Sequence, residues 1–290
     1  MLVASRKPVD EIGHSQDARE RTEPMPSKSG PIIDVRALNK SFNQGDHRLA
    51  VLDSVDFRAA EGEFVSIIGP SGCGKSTLLN IVAGLDEPMS GILEIHGKQD
   101  PRRLGTVGYM QQKDLLLPWR TVMGNAVIGL ELQGVSKREA RARADALLDQ
   151  FGLRGFEDEY PSALSGGMRQ RAAFLRTVLA NQKVFLLDEP FGALDALNRS
   201  QIHEWLLSLW RELNKTIVMV THDVDEAIFL SDRVYVMSAR PGTMTLDIPI
   251  DLPRPRKLEM LTSPAFVDLK AKLLATIRAE DASKQPGDLS

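Results

Sequence analysis

The segment that most constrains the fold is an apolar run that passes through a glycine-rich loop into a helical pattern. Phe64–Ile68 is almost entirely apolar, as expected for a strand whose sheet is covered on both faces. After the loop, residues 76–83 have helical spacing and Gly84 supplies a stop. The loop fits G-x-x-x-x-G-K-[ST], which binds phosphate at a strand-to-helix junction. The predicted nucleotide-binding residues here are Gly69, Pro70, Ser71, Gly72, Cys73, Gly74, Lys75, Ser76 and Thr77.

Further apolar runs indicate a sheet of several buried strands. Residues 184–187 and Thr216–Val220 read as two such strands, and a strand also begins at residues 31–35. Strands that alternate with helices indicate a parallel sheet, with the ligand at the carboxyl ends of the strands. The predicted fold class is therefore α/β.

The charged residues of these junctions predict nucleotide chemistry. Lys75 is expected to reach the β- and γ-phosphate oxygens, and the Ser76 hydroxyl to hold Mg²⁺. Asp188 ends a buried strand, where its carboxylate can hold the same ion. We assign Glu189, beside it, to activating the attacking water, a role that contributes about 10²–10⁴-fold to a rate. The alternative is that Glu189 only caps the following turn.

A second glycine-rich turn precedes a predicted helix. Ser165, Gly166 and Gly167 place unhindered amides and a hydroxyl at a helix N-terminus, which favours an anion. One chain does not need two phosphate sites for a single ATP. The alternative is a turn that simply starts a core helix.

Composition narrows the class of protein. The chain has 290 residues and a formal net charge of −3, so nothing indicates general affinity for nucleic acid. A single cysteine excludes an internal disulfide. No apolar run approaches the roughly 20 residues of a membrane helix, and the start lacks the apolar segment of a secretory signal. We expect a soluble, cytosolic chain whose membrane partners, if any, supply the spanning helices.

The sequence divides into three parts. Residues 1–29 are polar, without hydrophobic periodicity, and are predicted to be a disordered extension. Residues 30–250 form the predicted ATPase domain, with a helical insertion at about 113–165. There, Ser136 begins a helix expected to run to Phe151 and to end at Gly152. Residues 251–290 form a tail with one helix, predicted from about 263 to 279.

The motifs together resemble those of the ATP-binding cassette (ABC) ATPases. Residues 69–77, 164–171, 184–190 and 221–223 match the Walker A, signature, Walker B and switch-histidine motifs in the family's order. The resemblance implies a RecA-like P-loop NTPase core with an antiparallel β-subdomain and a helical subdomain. It implies ATP and Mg²⁺ as cofactors. It also implies a second cassette, in a homodimer, because the family completes each nucleotide site with the partner's signature.

Individual site residues are carried over from the same resemblance. Gln112 matches the Q-loop, with roles in catalysis and metal binding, although the adjacent Gln111 is the alternative match. Phe42 resembles the aromatic residue that stacks on adenine, or else is an ordinary residue at a strand end. Asp195 belongs to a D-loop-like segment that contacts the opposite subunit. His222 resembles the switch histidine that contacts the γ-phosphate.

Within the family, three segments resemble nitrate, sulfonate and taurine importers: residues 116–119, 239–242 and 251–256. All three are expected to touch membrane subunits or the periphery of the cassette, and not the solute. The implied partners are integral membrane permease subunits and, indirectly, a periplasmic or surface solute-binding protein, which places the chain at the cytoplasmic face of the cell membrane. An exporter or lipid-transport cassette is the alternative. A mechanical ABC ATPase is disfavoured because no long coiled-coil insertion is present.

Overall fold

A computed structural model describes residues 30–45, 47–192, 203–204, 206–208, 210–212 and 214–282. The predicted extension at 1–29 and the D-loop residue Asp195 lie outside the described residues. Among the residues that are described, no helix combines the length and the apolar character needed to cross a membrane.

A three-stranded antiparallel sheet forms one layer of the molecule. It contains β1 (Ile33–Gln44), β2 (His47–Ala59) and β4 (Ser90–Ile95) in the order β2-β1-β4. The register between β1 and β2 shifts several times between Val35 and Ser41. Such irregularities bend and twist a strand pair, and the ends of these strands lie beside the phosphate loop.

A six-stranded sheet forms the centre. Its strands are β3 (Phe64–Ile68), β5 (Gly108–Met110), β6 (Val184–Asp188), β7 (Thr216–Val220), β8 (Arg233–Met237) and β9 (Met244–Pro249), in the order β5-β6-β7-β3-β8-β9. The first five strands in this order are parallel, and β9 is antiparallel to β8. Every residue of β3, β6 and β7 is buried, which explains their continuous apolar runs.

The described residues include seven α-helices, and most of them flank this sheet. They are α1 (Lys75–Ala83), α2 (Val122–Ala126), α3 (Ile128–Leu132), α4 (Lys137–Asp145), α5 (Gly166–Leu179), α6 (Val224–Leu230) and α7 (Pro264–Ala282). Short 3₁₀ helices occur at Pro161–Ala163 and Leu258–Thr262. The sheet thus has one core against β1, β2 and α1, and a second against α5 and the segment of α2 to α4.

The helix that begins after Ser136 is shorter than expected. The Ser136 hydroxyl accepts a hydrogen bond from the Glu139 amide, as the sequence predicts, but α4 ends at Asp145. The chain continues to Gly152 as hydrogen-bonded turns, and Leu148 and Phe151 still reach the core. Burial of these apolar side chains therefore does not require a continuous helix.

The tail is fastened to the end of α6 by a buried arginine. Arg256 is 5% exposed, and its Nη1 donates hydrogen bonds to three carbonyls at the end of α6, those of Ile228, Phe229 and Ser231. Burial and the neighbouring charge of Arg254 lower the pKa of Arg256 to about 9. Within the segment 251–256, expected to touch membrane subunits or the periphery, Arg256 thus caps the C-terminal end of α6.

Candidate active site

A groove of about 430 Å³ lies where the phosphate loop meets the antiparallel sheet. It is open along one side and lies at the carboxyl ends of the parallel strands, as parallel sheets require. Half of the predicted site residues line it. These are Phe42, Ser71, Gly72, Gly74, Lys75, Ser76, Thr77, Gln112 and Glu189.

The backbone of the phosphate loop depends on glycine at two positions. Gly74 has a φ of 114°, and a Cβ there would come within 2.6 Å of the Leu52 side chain. A Cβ on Gly69 would come within 2.5 Å of the Met237 carbonyl oxygen. The loop is therefore packed tightly against β2 and β8.

Lys75 is held at the centre of this loop. Its side chain is almost fully buried, and Nζ donates hydrogen bonds to the carbonyls of Gly69 and Pro70 at 2.8 and 2.9 Å. Cys73 is also buried, with its Sγ 3.7 Å from the Lys75 ammonium. Three residues of the loop do not line the groove, namely Gly69, Pro70 and Cys73.

Asp188, at the end of β6, is a buried carboxylate with an unused oxygen. It is 3% exposed, and Oδ1 has no hydrogen-bond partner among the described residues. Burial raises the pKa of Asp188; a hydrogen bond from Ser76 opposes this rise, the charge of Glu189 adds to it and Lys75 again opposes it. An orphaned carboxylate oxygen beside a hydroxyl fits the oxygen ligands that Mg²⁺ prefers.

Glu189, the next residue, sits at a strained turn. Its φ is 48°, which is uncommon for a residue with a side chain, and its amide donates a 2.9 Å hydrogen bond to the Val220 carbonyl. The carboxylate is mostly shielded and points toward the groove, with 23% of its side chain exposed. The turn thus presents this carboxylate directly beside the phosphate loop.

Two further predicted residues converge on this carboxylate. The Gln112 side-chain amide donates a hydrogen bond of 3.2 Å to Glu189 Oε2. His222 Nδ1 lies 3.4 Å from the same oxygen. A carboxylate with two polar neighbours and partial access to a phosphate-sized groove is placed to orient and deprotonate a water.

His222 is carried by a firmly anchored turn after β7. Thr221 donates a hydrogen bond of 2.7 Å from its hydroxyl to the buried carboxylate of Glu226. Asp223 caps α6 by accepting from the amides of Asp225 and Glu226. The backbone on both sides of His222 is therefore fixed, while its side chain remains 62% exposed.

Phe42 lies near the end of β1, at the rim of the groove. Its ring is 41% exposed, and Lys40 Nζ lies 4.8 Å from the ring centre. An exposed ring at this place is available for stacking on a base.

The residues of the signature turn lie outside the groove. Ser165 caps α5 by accepting a 3.3 Å hydrogen bond from the Met168 amide, with Gly166 and Gly167 in the first turn. None of these three lines the groove. A Cβ on Gly166 would meet nothing nearer than 3.8 Å, so this turn has open space around it.

The chain after Gln112 is bound to α5, the helix that begins at the signature turn, by contacts that sequence reasoning missed. Arg169 Nε lies 3.1 Å from Asp114 Oδ2, and Arg176 donates to the carbonyls of Asp114 and Leu115 at 2.7 Å each. No periodicity in the sequence connects these segments. Their contact follows from the packing of the helical segment.

Arg240 is a second missed residue. Sequence reasoning treated residues 239–242 only as a marker of a subgroup, expected to touch membrane subunits or the periphery. The structure places Arg240 on the wall of the groove, where Nε and Nη2 donate to the Gly72 carbonyl at 3.0 and 2.8 Å. The neighbouring positions of β3 and β8 in the sheet bring the two together.

Comparisons with known proteins agree with this geometry. A family model described as ABC transporter matches residues 52–192. An aliphatic sulfonates import ATP-binding protein of Bacillus licheniformis is 40% identical over 242 residues, which cover 83% of this chain and 92% of that protein. A nitrate import ATP-binding protein of Synechocystis is 38% identical over 258 residues, which cover 87% of this chain and 97% of that one.

The chain belongs to the ABC transporter ATP-binding proteins. A solved ATP-binding cassette, in a dimeric post-hydrolysis state with ADP and phosphate, is similar in fold with a TM-score of 0.70. It is 31% identical and covers 76% of this chain and 100% of its own. Membership confirms the predicted fold class, the use of ATP and the ATPase activity.

Proposed function

We propose that this cassette hydrolyses ATP to power the import of a small anionic solute. The observation that carries the hydrolytic part is the convergence of Gln112 and His222 on Glu189 beside the phosphate loop. The import part is supported by the relatives named for sulfonate and nitrate import. A small anion is the class that those names share.

The residues of the groove have different roles in ATP hydrolysis. Lys75 and the loop amides bind the β- and γ-phosphates, and Glu189 takes the proton of the attacking water. His222 contacts the γ-phosphate and holds Glu189 in place. Asp188, Ser76 and Gln112 would hold Mg²⁺, and its charge would offset the negative charge that develops on the phosphate oxygens. Phe42 stacks on adenine.

The site is completed by a second copy of the chain. Ser165, Gly166 and Gly167 form an anion-binding helix start that does not line its own groove. In a homodimer, this turn faces the γ-phosphate of the other copy. The dimeric state of the solved cassette supports this arrangement.

Movement of the dimer is passed to permease subunits in the cell membrane, at its cytoplasmic face. The segment after Gln112 carries an exposed apolar surface, with Trp119 71% exposed and Leu115 49% exposed. Exposed apolar side chains of this size mark partner surfaces. Because Arg169 and Arg176 tie the segment to α5, the permease contact and the signature turn move together. A solute-binding protein on the opposite side delivers the solute.

The experiment is reconstitution. The cassette is purified with the permease with which it assembles, placed in liposomes, and supplied with ATP on the cassette side. We expect uptake of labelled nitrate, taurine or an alkanesulfonate that needs both ATP and the solute-binding protein. Transport toward the cassette-free side, independent of a binding protein, would instead assign an exporter or lipid-transport role.

A further inference from the structure

The loop between β8 and β9 is packed against the phosphate loop. Gly242 donates a 2.8 Å hydrogen bond to the Val51 carbonyl and accepts one of 3.0 Å from the Asp53 amide. A Cβ on Gly242 would come within 2.3 Å of the Cys73 carbonyl oxygen. Residues 238–243 therefore have little freedom to move relative to the loop that binds phosphate.

Arg240 is the contact of this loop that reaches the groove. Both donors, Nε and Nη2, point at one acceptor, the Gly72 carbonyl. Gly72 has a left-handed φ of 74°, and a Cβ there would lie 3.1 Å from Arg240 Nη2. The guanidinium is planar and both of its donors meet the same oxygen, so this contact fixes the orientation of the Gly72 peptide.

The position of this contact matters for an anionic ligand. Gly72 and Arg240 both line the groove, and Gly72 lies in the same loop as Lys75. A carbonyl oxygen carries partial negative charge and repels a phosphate that approaches it. A guanidinium on that oxygen offsets this charge and adds a second cation to the wall.

We propose that Arg240 is a positioning residue for ATP, which acts through the Gly72 carbonyl to shape the phosphate loop for the polyphosphate chain. The role rests on the proposed ATPase function. This role differs from that of Lys75. Lys75 binds the phosphates directly, whereas Arg240 lies in the β8–β9 loop and acts through the Gly72 carbonyl. The ligand class it serves is the nucleoside triphosphate.

The test compares Arg240→Gln and Arg240→Lys in the full chain. Because the contact is exposed to solvent, we expect Arg240→Gln to raise KM for ATP about three- to tenfold, with kcat within about twofold of wild type. Arg240→Lys keeps one charged donor and should recover part of the loss. Arg102→Gln is the control, because that side chain is 93% exposed and its ion pair with Asp100 is 3.9 Å long.

Each result is decisive. An unchanged KM in Arg240→Gln would overturn the proposal. So would a fall in kcat that follows a lower melting temperature at constant KM, since this would make Arg240 merely structural. Equal losses in the Gln and Lys variants would also contradict a role for the charge. A wild-type protein without ATPase activity would instead overturn the proposed function.

Discussion

The side-chain amide of Gln112 donates a hydrogen bond of 3.2 Å to Oε2 of Glu189, although 77 positions separate the two residues. The register of the central sheet explains this contact. Met110 pairs with Leu187 across the parallel strands β5 and β6, so Gln112 and Glu189, each two residues beyond this pair, lie at the same edge of the sheet. Gln112 and the proposed general base are thus placed by one strand pair.

Replacing the phosphate-loop lysine should remove nucleotide affinity. In Lys75→Ala, the phosphates lose their main cationic partner, so we expect ATP to bind about 30-fold more weakly or worse. Titration calorimetry measures this, with Lys98→Ala as a control at an exposed position outside the groove. ATP affinity equal to that of wild type would remove Lys75 from its role.

A charge in the signature turn should separate binding from turnover. Gly166→Glu has room for its side chain, so folding should be preserved. Its carboxylate would repel the γ-phosphate of the facing copy. We expect ATP binding to the monomer within about twofold of wild type and at least a tenfold loss of hydrolysis. A variant that hydrolyses ATP at the wild-type rate would refute the two-copy site.

The carboxylate of Asp188 should lower the stability of the nucleotide-free protein. Because burial raises its pKa in the folded state, ionised Asp188 opposes folding once the pH exceeds the usual range for aspartate. We expect Asp188→Asn to raise the melting temperature at pH 7 by about 1–4 °C. Below the pKa of the unfolded chain the carboxyl is neutral in both states, so this difference should vanish.

The same substitution tests the metal site. Asp188→Asn should abolish the further stabilisation that Mg²⁺ adds to ATP, because the ion loses its buried carboxylate oxygen. Scanning calorimetry with ATP, with and without Mg²⁺, measures both effects. A melting temperature lowered by the substitution, together with an intact Mg²⁺ effect, would show that Asp188 has a structural role alone.

The exposed tryptophan should matter only for the membrane complex. We expect Trp119→Ala to leave ATPase activity and melting temperature of the isolated cassette nearly unchanged, since surface changes are usually within about 0.5 kcal/mol. Co-purification with the permease and reconstituted uptake should both fall. Leu132→Ala, at a leucine that is 83% exposed, is the control. If Trp119→Ala assembles and transports normally, the coupling surface lies elsewhere.

The sequence predicts the buried strands well because their environment leaves no ambiguity. β3, β6 and β7 are covered on both faces, and each reads as a continuous apolar run. The tail helix, predicted over 263–279, is observed as Pro264–Ala282. In contrast, β1 and β2 are half-exposed and irregular in register. The sequence beyond residue 35 therefore has no regular pattern of apolar and polar residues from which the length of these strands could be predicted.

The contacts around the site depend on strand order, which local patterns do not specify. Arg240 reaches Gly72 because β8 is next to β3, although β8 follows much later in the chain. Arg169 meets Asp114 only through the packing of α5 against the segment after β5. Motifs therefore predict the residues that perform chemistry, whereas the residues that position them emerge from the fold.

The most direct measurement is steady-state phosphate release by Glu189→Gln beside wild type, at saturating Mg-ATP. The amide keeps the size of the carboxylate but cannot accept the proton of the attacking water. We expect turnover to fall about 100-fold or more, while ATP binding remains and the variant gathers as an ATP-dependent dimer. Phosphate release at the wild-type rate would contradict the account, because the carboxylate on which Gln112 and His222 converge would then have no part in hydrolysis.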